Sequence, residues 1–255
     1  MGGHAVPEAR LMHRFYADET RRGEGAAFLT PEDARHALRV LRMEVGDQAE
    51  IYLGGKRYSA EISLIDDQDV RLSLQTELPS TEAKLRITLY QGLPKADKME
   101  LIVQKAVELG ADTIVPVSMS RCVVHLDDKD ARKKQERWQK IAREACKQSC
   151  RCMMPKVETP LTFRQFLSRL ENHQAALVPW EDARGYSLTA FHQEHPDVTD
   201  VAVVIGPEGG MSPEEISKMA EAGCLPVTLG PRILRTETAG LCAISALMCL
   251  FGDMA

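Results

Sequence analysis

The spacing of apolar positions changes near residue 80, and that change divides the chain. From His13 to Leu78 the pattern is mostly of period two. Ala49–Leu53, Tyr58–Ile65 and Val70–Leu74 alternate or run apolar, as half-buried strands do. Gly54-Gly55 reads as a hairpin turn between the first two. One helix interrupts the strands, opened by Thr30-Pro31-Glu32-Asp33 and ending before Gly46. The expectation for 12–78 is a small β-rich domain closing into a barrel. Residues 79–83, which hold Pro79, Ser80 and Thr81, are the candidate linker.

Beyond the linker, strand-like runs alternate with helical ones. Ile87–Gln91, Thr113–Met119, Ala175–Trp180, Val201–Ile205 and Leu225–Leu229 read as strands. Asp97–Leu109 reads as a helix with Asp97 as cap, Glu100 at the third position and Gly110 past its end. Lys133–Ser149 reads as a basic helix, and an apolar helix follows Gly240 and runs to Leu250. Such alternation predicts a largely parallel sheet with helices on both faces over 84–255. Residues 1–11 show no periodicity and read as a disordered leader.

Composition changes this picture in one place. Hydrophobic residues at 44% and charged ones at 27% describe an ordinary globular chain, and the net charge of −5 argues against nucleic acid if charge is spread evenly. It is concentrated instead. Between Lys129 and Arg151 nine basic residues face three acidic ones, a local excess of six, so a nucleic-acid partner stays open. The seven cysteines form an odd set in a chain with no secretory signal, which fits a reducing cytoplasm. Cys146, Cys150 and Cys152 have C-x3-C-x-C spacing, which matches neither a zinc pair nor a cluster loop, so no metal is expected. The longest apolar run, Leu241 to Phe251, is too short to cross a bilayer.

Two strands near the C-terminus break into glycine turns. Val201–Ile205 runs into Gly206-Pro207-Glu208-Gly209-Gly210, and Ser212-Pro213-Glu214-Glu215 then opens a helix. Leu225–Leu229 runs into Gly230-Pro231-Arg232-Ile233-Leu234-Arg235-Thr236-Glu237-Thr238. Neither turn has the lysine and hydroxyl of a phosphate-binding loop, and no G-x-G-x-x-G follows the first strand. Two peptide-rich loops at the carboxyl ends of parallel strands can instead grip a flat heterocycle such as adenine. Their backbone groups would do the gripping, with Leu229, Ile233 and Leu234 against the ring.

The segments Gly92-Leu93-Pro94-Lys95-Ala96-Asp97-Lys98-Met99-Glu100, Gln104 to Gly110, Arg121-Cys122-Val123-Val124, Arg137-Trp138, Ile205 to Gly210 and Leu229 to Ala239 resemble the RsmE family, the uridine-N3 methyltransferases of 16S ribosomal RNA, of the SPOUT class. The likeness runs from Met12 to the C-terminus. It implies an α/β methyltransferase domain with a trefoil knot, preceded by a PUA-like β-barrel RNA-binding domain. It also implies a homodimer acting on the small ribosomal subunit. S-adenosylmethionine would be held by Pro179, Gly206, Pro207, Glu208, Gly209, Gly210, Leu229, Gly230, Ile233, Leu234, Thr236 and Thr238. Cys122 departs from the family pattern, where a small hydroxyl residue is expected.

Uridine N3 carries a weakly acidic proton, so catalysis must remove it or stabilise the charge left behind. Arg235 is the candidate for holding charge on the uracil carbonyls, because a guanidinium keeps its charge and forks two donors. Glu208 and Glu237 are candidate bases. RNA contacts are expected from Arg14, from Arg39 and Arg42 three apart on one helix face, from Lys95 and Lys98, and from Arg121. Two other readings stay open on the residues alone: a non-catalytic rRNA-binding assembly factor, and a ribose 2′-O-methyltransferase.

Overall fold

The computed structural model describes residues 12–67 and 69–254, so the expected leader over 1–11 lies outside the described residues. The chain forms two compact units. The first runs to Thr81 and also takes in Cys150–Met153; the second holds Glu82–Ser149 and Met154 onward. The sequence order placed Cys150–Met153 in the second. Long-range hydrogen bonds decide otherwise: the Tyr16 hydroxyl donates to Arg151 O at 2.8 Å, and Thr81 Oγ1 to Cys150 O at 2.6 Å.

In the first unit β1 (His13–Gly23), β2 (Ala26–Leu29), α1 (Pro31–Arg39), β3 (Gln48–Leu53), β4 (Lys56–Asp66) and β5 (Asp69–Leu78) make a closed barrel in the order β1-β2-β5-β4-β3. The β1–β3 pair is parallel and closes it; the other pairs are antiparallel. Phe15, Leu29, Ile51, Ile62 and Leu72 fill the interior, with Ala34 and Ala37 of α1 packed on them. Gly54 and Gly55 both have positive φ, 61° and 73°, as a two-residue hairpin turn demands. Thr30 caps α1 by accepting from the Asp33 N–H. One expectation fails here. The helix ends at Arg39, and Arg42 lies beyond it in the left-handed region at φ 55°, so the two arginines do not share a helix face.

The second unit contains β6 (Arg86–Gly92), α2 (Lys98–Glu108), β7 (Thr113–Ser118), α3 (Asp128–Gln148), β8 (Lys156–Val157), β9 (Leu161–Thr162), α4 (Phe163–Leu167), β10 (Ala175–Pro179), α5 (Leu188–Glu194), β11 (Asp200–Ile205), α6 (Pro213–Glu221), β12 (Cys224–Val227) and α7 (Thr236–Phe251). Its sheet is parallel throughout, in the order β12-β10-β11-β6-β7-β8, with β9 also on β7. Val201 to Ile205 are all buried, the mark of a strand covered on both faces. After β10 the chain enters between β10 and β6 as β11, and then crosses to the far edge as β12. From there α7 returns to pack on β11, β6 and α2. This doubled-back stretch is where the expected knot would lie.

Two helix starts differ from the sequence reading, and one expected capping bond is not made. Asp97 stands at the N-cap of α2, but its side chain makes no capping bond. Helix α3 begins at Asp128 rather than Lys133, because Asp127 caps it by accepting from the Asp130 N–H at 2.8 Å. Its first turn is polar and acidic, which suits the helix dipole but leaves no apolar signal. Helix α7 begins at Thr236 and absorbs Thr-Glu-Thr-Ala-Gly, whose two Thr and Gly are weak helix formers, with the buried Thr236 hydroxyl bonded to Gly206 O at the helix start.

Candidate active site

Parallel pairing brings the carboxyl ends of β6, β10, β11 and β12 to one edge, and the loops leaving them enclose two adjoining cavities. The larger, about 320 Å³, is bounded by the Gly206–Gly210 turn, Lys98, Arg235 and Thr236. The smaller, about 80 Å³, lies between Pro179–Glu181 and the Leu229–Leu234 loop. Pro179, Trp180, Glu181, Ile233, Leu234 and Ala239 border both.

The turn after β11 is fixed by contacts that only small residues permit. A Cβ on Gly92 would stand 2.6 Å from Pro207 N and 2.9 Å from Gly206 C, so the end of β6 must be glycine for the turn to lie against it. A Cβ on Gly206 would meet Met211 Cγ at 2.9 Å. Gly210 has φ +70°, open to glycine at no steric cost. Beyond the turn, Ser212 and Glu215 form a reciprocal capping box at the start of α6. The buried Glu215 carboxylate also accepts from the Ser120 N–H at 2.7 Å, joining this turn to the loop after β7.

The second loop is tied to the first through one hydroxyl. Thr236 Oγ1 donates to Gly206 O at 2.6 Å and accepts from Gln91 Nε2 at 2.8 Å. All of this lies in the interior, where such bonds are strong and their loss is costly. Gln91 and Gly92 therefore position the site from the end of β6. The sequence signal for them was present, since Gly92 begins one of the family-like segments, but strand periodicity gave no reason to single them out.

Charged groups cluster at the rim. Lys98 Nζ lies 3.1 Å from Glu208 and 3.3 Å from Glu237, so one ammonium bridges both candidate bases. Burial alone would push the Glu208 carboxyl up. Hydrogen bonds from its own N–H, from the Lys95 N–H and from the Lys98 ammonium outweigh that and hold it below the usual glutamate value. The Glu208 hydrogen bond in turn raises Lys98. A carboxylate so engaged is a poor proton acceptor. Glu208 and Lys98 hold the β6–α2 loop against the glycine turn, and Lys98 is not free for a phosphate. Glu237 borders neither cavity. Arg235 is exposed at the mouth of the larger one, with no ion pair among the described residues.

The remaining expected residues divide clearly. Pro179, Gly206, Pro207, Glu208, Gly210, Leu229, Gly230, Ile233, Leu234 and Thr236 border one cavity or both. Gly209 and Thr238 border neither. The Gly209 carbonyl accepts from Arg121 Nη1 at 3.1 Å, which commits Arg121 to the turn, and the Thr238 N–H closes the first turn of α7 onto Arg235 O. Lys95 is exposed. In the barrel Arg14 pairs with Glu50 at 3.3 Å, while Arg39 and Arg42 are exposed. Cys122, the departure from the family pattern, is buried and bonds as a hydroxyl would: its sulfur accepts from the Met119 N–H and donates to Val117 O. Burial raises its thiol.

A family model described as an RNA methyltransferase domain matches residues 81–248, and one described as an RNA methyltransferase PUA domain matches 29–75. A Bacillus subtilis protein named ribosomal RNA small subunit methyltransferase E is 36% identical, over 92% of this chain and 96% of its own length. A protein of that name from Buchnera aphidicola is 32% identical, over 89% of this chain and 88% of its own. The crystal structure of the Neisseria gonorrhoeae protein of that name, bound to S-adenosyl methionine, aligns with TM-score 0.81 and 36% identity, covering 96% of this chain and all of the other.

Proposed function

The chain belongs to the RsmE family of RNA methyltransferases, and from that premise we propose that it methylates N3 of a specific uridine in small-subunit ribosomal RNA, with S-adenosylmethionine as donor. The observation that carries this reading is the Thr236–Gly206 bond. It binds two peptide-rich turns into one pocket at the carboxyl edge of the sheet, where open α/β sheets bind ligands.

The residues fit the donor. The smaller cavity is walled by Pro179, Leu229, Ile233 and Leu234, suited to the faces of a purine ring. Gly206, Pro207 and Gly210 line the larger cavity with no polar side chain of their own, so the wall there is main chain. When bound, the donor supplies a methyl group already activated by its positive sulfur.

The protein then has to accept an unpaired uracil and manage the charge left as N3 loses its proton. Base pairing hides N3, so the target must be single-stranded or flipped out. Arg235, charged and unpaired at the mouth of the larger cavity, holds two donors for the uracil carbonyls, where negative charge collects. With Glu208 held in its ionised form by three donors, the proton leaves to solvent rather than to that carboxylate. Alignment of N3 with the methyl group supplies much of the rate.

The barrel unit supplies further RNA contacts through Arg39 and Arg42. A second copy of the chain covers the open faces of α2 and α7, which leave Leu101, Cys242 and Cys249 exposed. Among the described residues no helix is long and apolar enough to cross a membrane, and we place the protein in the cytoplasm beside its ribosomal substrate. The deciding experiment is methyl transfer from labelled donor to small-subunit RNA, naked and assembled, followed by nucleoside mass spectrometry. Recovery of N3-methyluridine supports the reading; a 2′-O-methyl product or no transfer overturns it.

A further inference from the structure

Three of the glutamates around the site are committed to other protein groups. Glu208 holds Lys95 and Lys98, Glu237 pairs with Lys98, and Glu215 spans Ser120 and Ser212. Glu181 is different. It borders both cavities, and its carboxylate has no hydrogen bond or ion pair among the described residues. Its backbone is nonetheless fixed. Arg184 Nη1 donates to Glu181 O at 2.6 Å, and the preceding Trp180 N–H donates to Val227 O at 3.1 Å. Across the gap Gly210 approaches closely enough that its Cβ, were there one, would lie 3.9 Å from Glu181 Oε1. A rigid strand end thus presents an unengaged acceptor at the seam between the apolar cavity and the polar one.

We propose that the Glu181 carboxylate recognises the ribose hydroxyls of the methyl donor. This rests on the methyltransferase reading above. The donor is linear in its chemistry: a purine, then a ribose, then a charged sulfur and an amino acid. The smaller cavity, walled by Leu229, Ile233 and Leu234, suits the purine, and the larger, walled on one side by the Gly206, Pro207 and Gly210 main chain, has room for the sulfur and the amino acid. Filling both puts the ribose at their shared wall, beside Glu181. A carboxylate only accepts hydrogen bonds, and a vicinal diol offers two donors, so the match is complete. Main-chain groups grip the rest of the nucleoside, and Glu181 then supplies the charged contact that separates a ribonucleoside from a deoxyribonucleoside.

The test is binding calorimetry on the full chain, wild type against Glu181→Ala. The ligands are S-adenosylhomocysteine, 5′-methylthioadenosine, which lacks the amino acid, and the 2′-deoxy and 3′-deoxy forms of methylthioadenosine. Charge-assisted hydrogen bonds of this kind correspond to about tenfold in affinity or more. The expected result is a loss of about tenfold for both ribose-bearing ligands in the variant. Wild type should discriminate against at least one deoxy form by a similar factor, and the variant by less than about twofold. Equal affinities in variant and wild type overturn the proposal. So does a loss confined to S-adenosylhomocysteine, which would assign Glu181 to the ammonium of the amino acid. If wild type binds no ligand at all, the methyltransferase reading itself falls, and this inference with it. Glu181 is exposed, and an unchanged melting temperature will show that the variant folds.

Discussion

The Thr236 hydroxyl donates to the Gly206 carbonyl at 2.6 Å, across 30 residues of chain, and this one bond joins the two loops that enclose the pocket. Thr236→Val keeps the shape and removes the bond, leaving Gly206 O without its buried partner and Gln91 Nε2 with Gly92 O alone. The expected cost is about 1–3 kcal/mol of stability, read by denaturant unfolding, together with a loss of donor affinity read by calorimetry. Thr236→Ser keeps the hydroxyl and should retain most of both. Equal effects from the two substitutions would locate the role of Thr236 in its methyl group instead.

Gly92→Ala tests the contact on the other side of the turn. The added carbon would lie 2.6 Å from Pro207 N, and backbone atoms cannot swing aside as a side chain can. Donor affinity should fall by about tenfold or more while the barrel unit keeps its fold. Calorimetry with S-adenosylhomocysteine reads the first, and hydrogen exchange over 13–78 the second. Wild-type affinity in this variant would mean that the turn has room the geometry denies it.

Arg235 is expected to act in turnover rather than in holding the donor. Arg235→Ala should lower the single-turnover methylation rate by about 100-fold, the scale seen when one donor to a developing oxyanion is removed, with donor affinity within about twofold of wild type. Arg235→Lys keeps the charge but not the fork, and should recover only part of the rate. A fall in donor affinity equal to the fall in rate would make Arg235 part of the cofactor pocket.

The alternation of strands and helices, the barrel and the capping of α1 and α6 could be read from the residues, because each rests on local spacing or on a turn residue with a fixed backbone need. Gly54-Gly55 and Ser212-Pro213 are of that kind. What the spacing could not show was how charges pair across distant segments. Lys98 looked like a hand for RNA until it met Glu208, 110 positions later in the chain, and Glu237. Arg121 looked the same until its guanidinium closed on Gly209 O. Gln91, Gly92 and Glu215 were missed for the same reason. Each looks ordinary within its own element, and its importance comes from a partner elsewhere. Arg42 was misplaced by extending helical periodicity past Arg39, where the chain turns with positive φ.

Glu208 allows a test by pH. Burial, which would raise its carboxyl, is outweighed by donors that lower it, so its folded value lies below its unfolded one. Its contribution to folding is then complete above the ordinary glutamate range and disappears only as pH falls through the depressed value. Between about pH 6 and 9 it stays ionised and cannot shape the rate profile. Glu208→Gln should therefore loosen the Lys95–Lys98 loop and lower the rate, while kcat/KM keeps its dependence on pH. If a wild-type limb near neutrality disappears in Glu208→Gln, that carboxylate is the base after all.

The barrel unit offers a prediction that does not depend on the pocket. Arg39 ends α1, Arg42 follows it in a left-handed turn, and both guanidinium groups stand exposed with no ion pair among the described residues. They diverge in local geometry, so each should meet its own phosphate rather than one forked site. Counterion release makes each phosphate contact visible in the salt dependence, at about 0.7 in the slope of log K against log salt for a single strand. Arg39→Ala and Arg42→Ala should each weaken binding to small-subunit RNA at low salt and reduce the slope by about that amount, and the double variant by about twice as much, because separate contacts add. Donor affinity, set by loops in the other unit, should not change. If the double variant keeps the wild-type slope, the barrel binds RNA through other residues. If donor affinity falls in parallel, the end of α1 is structural.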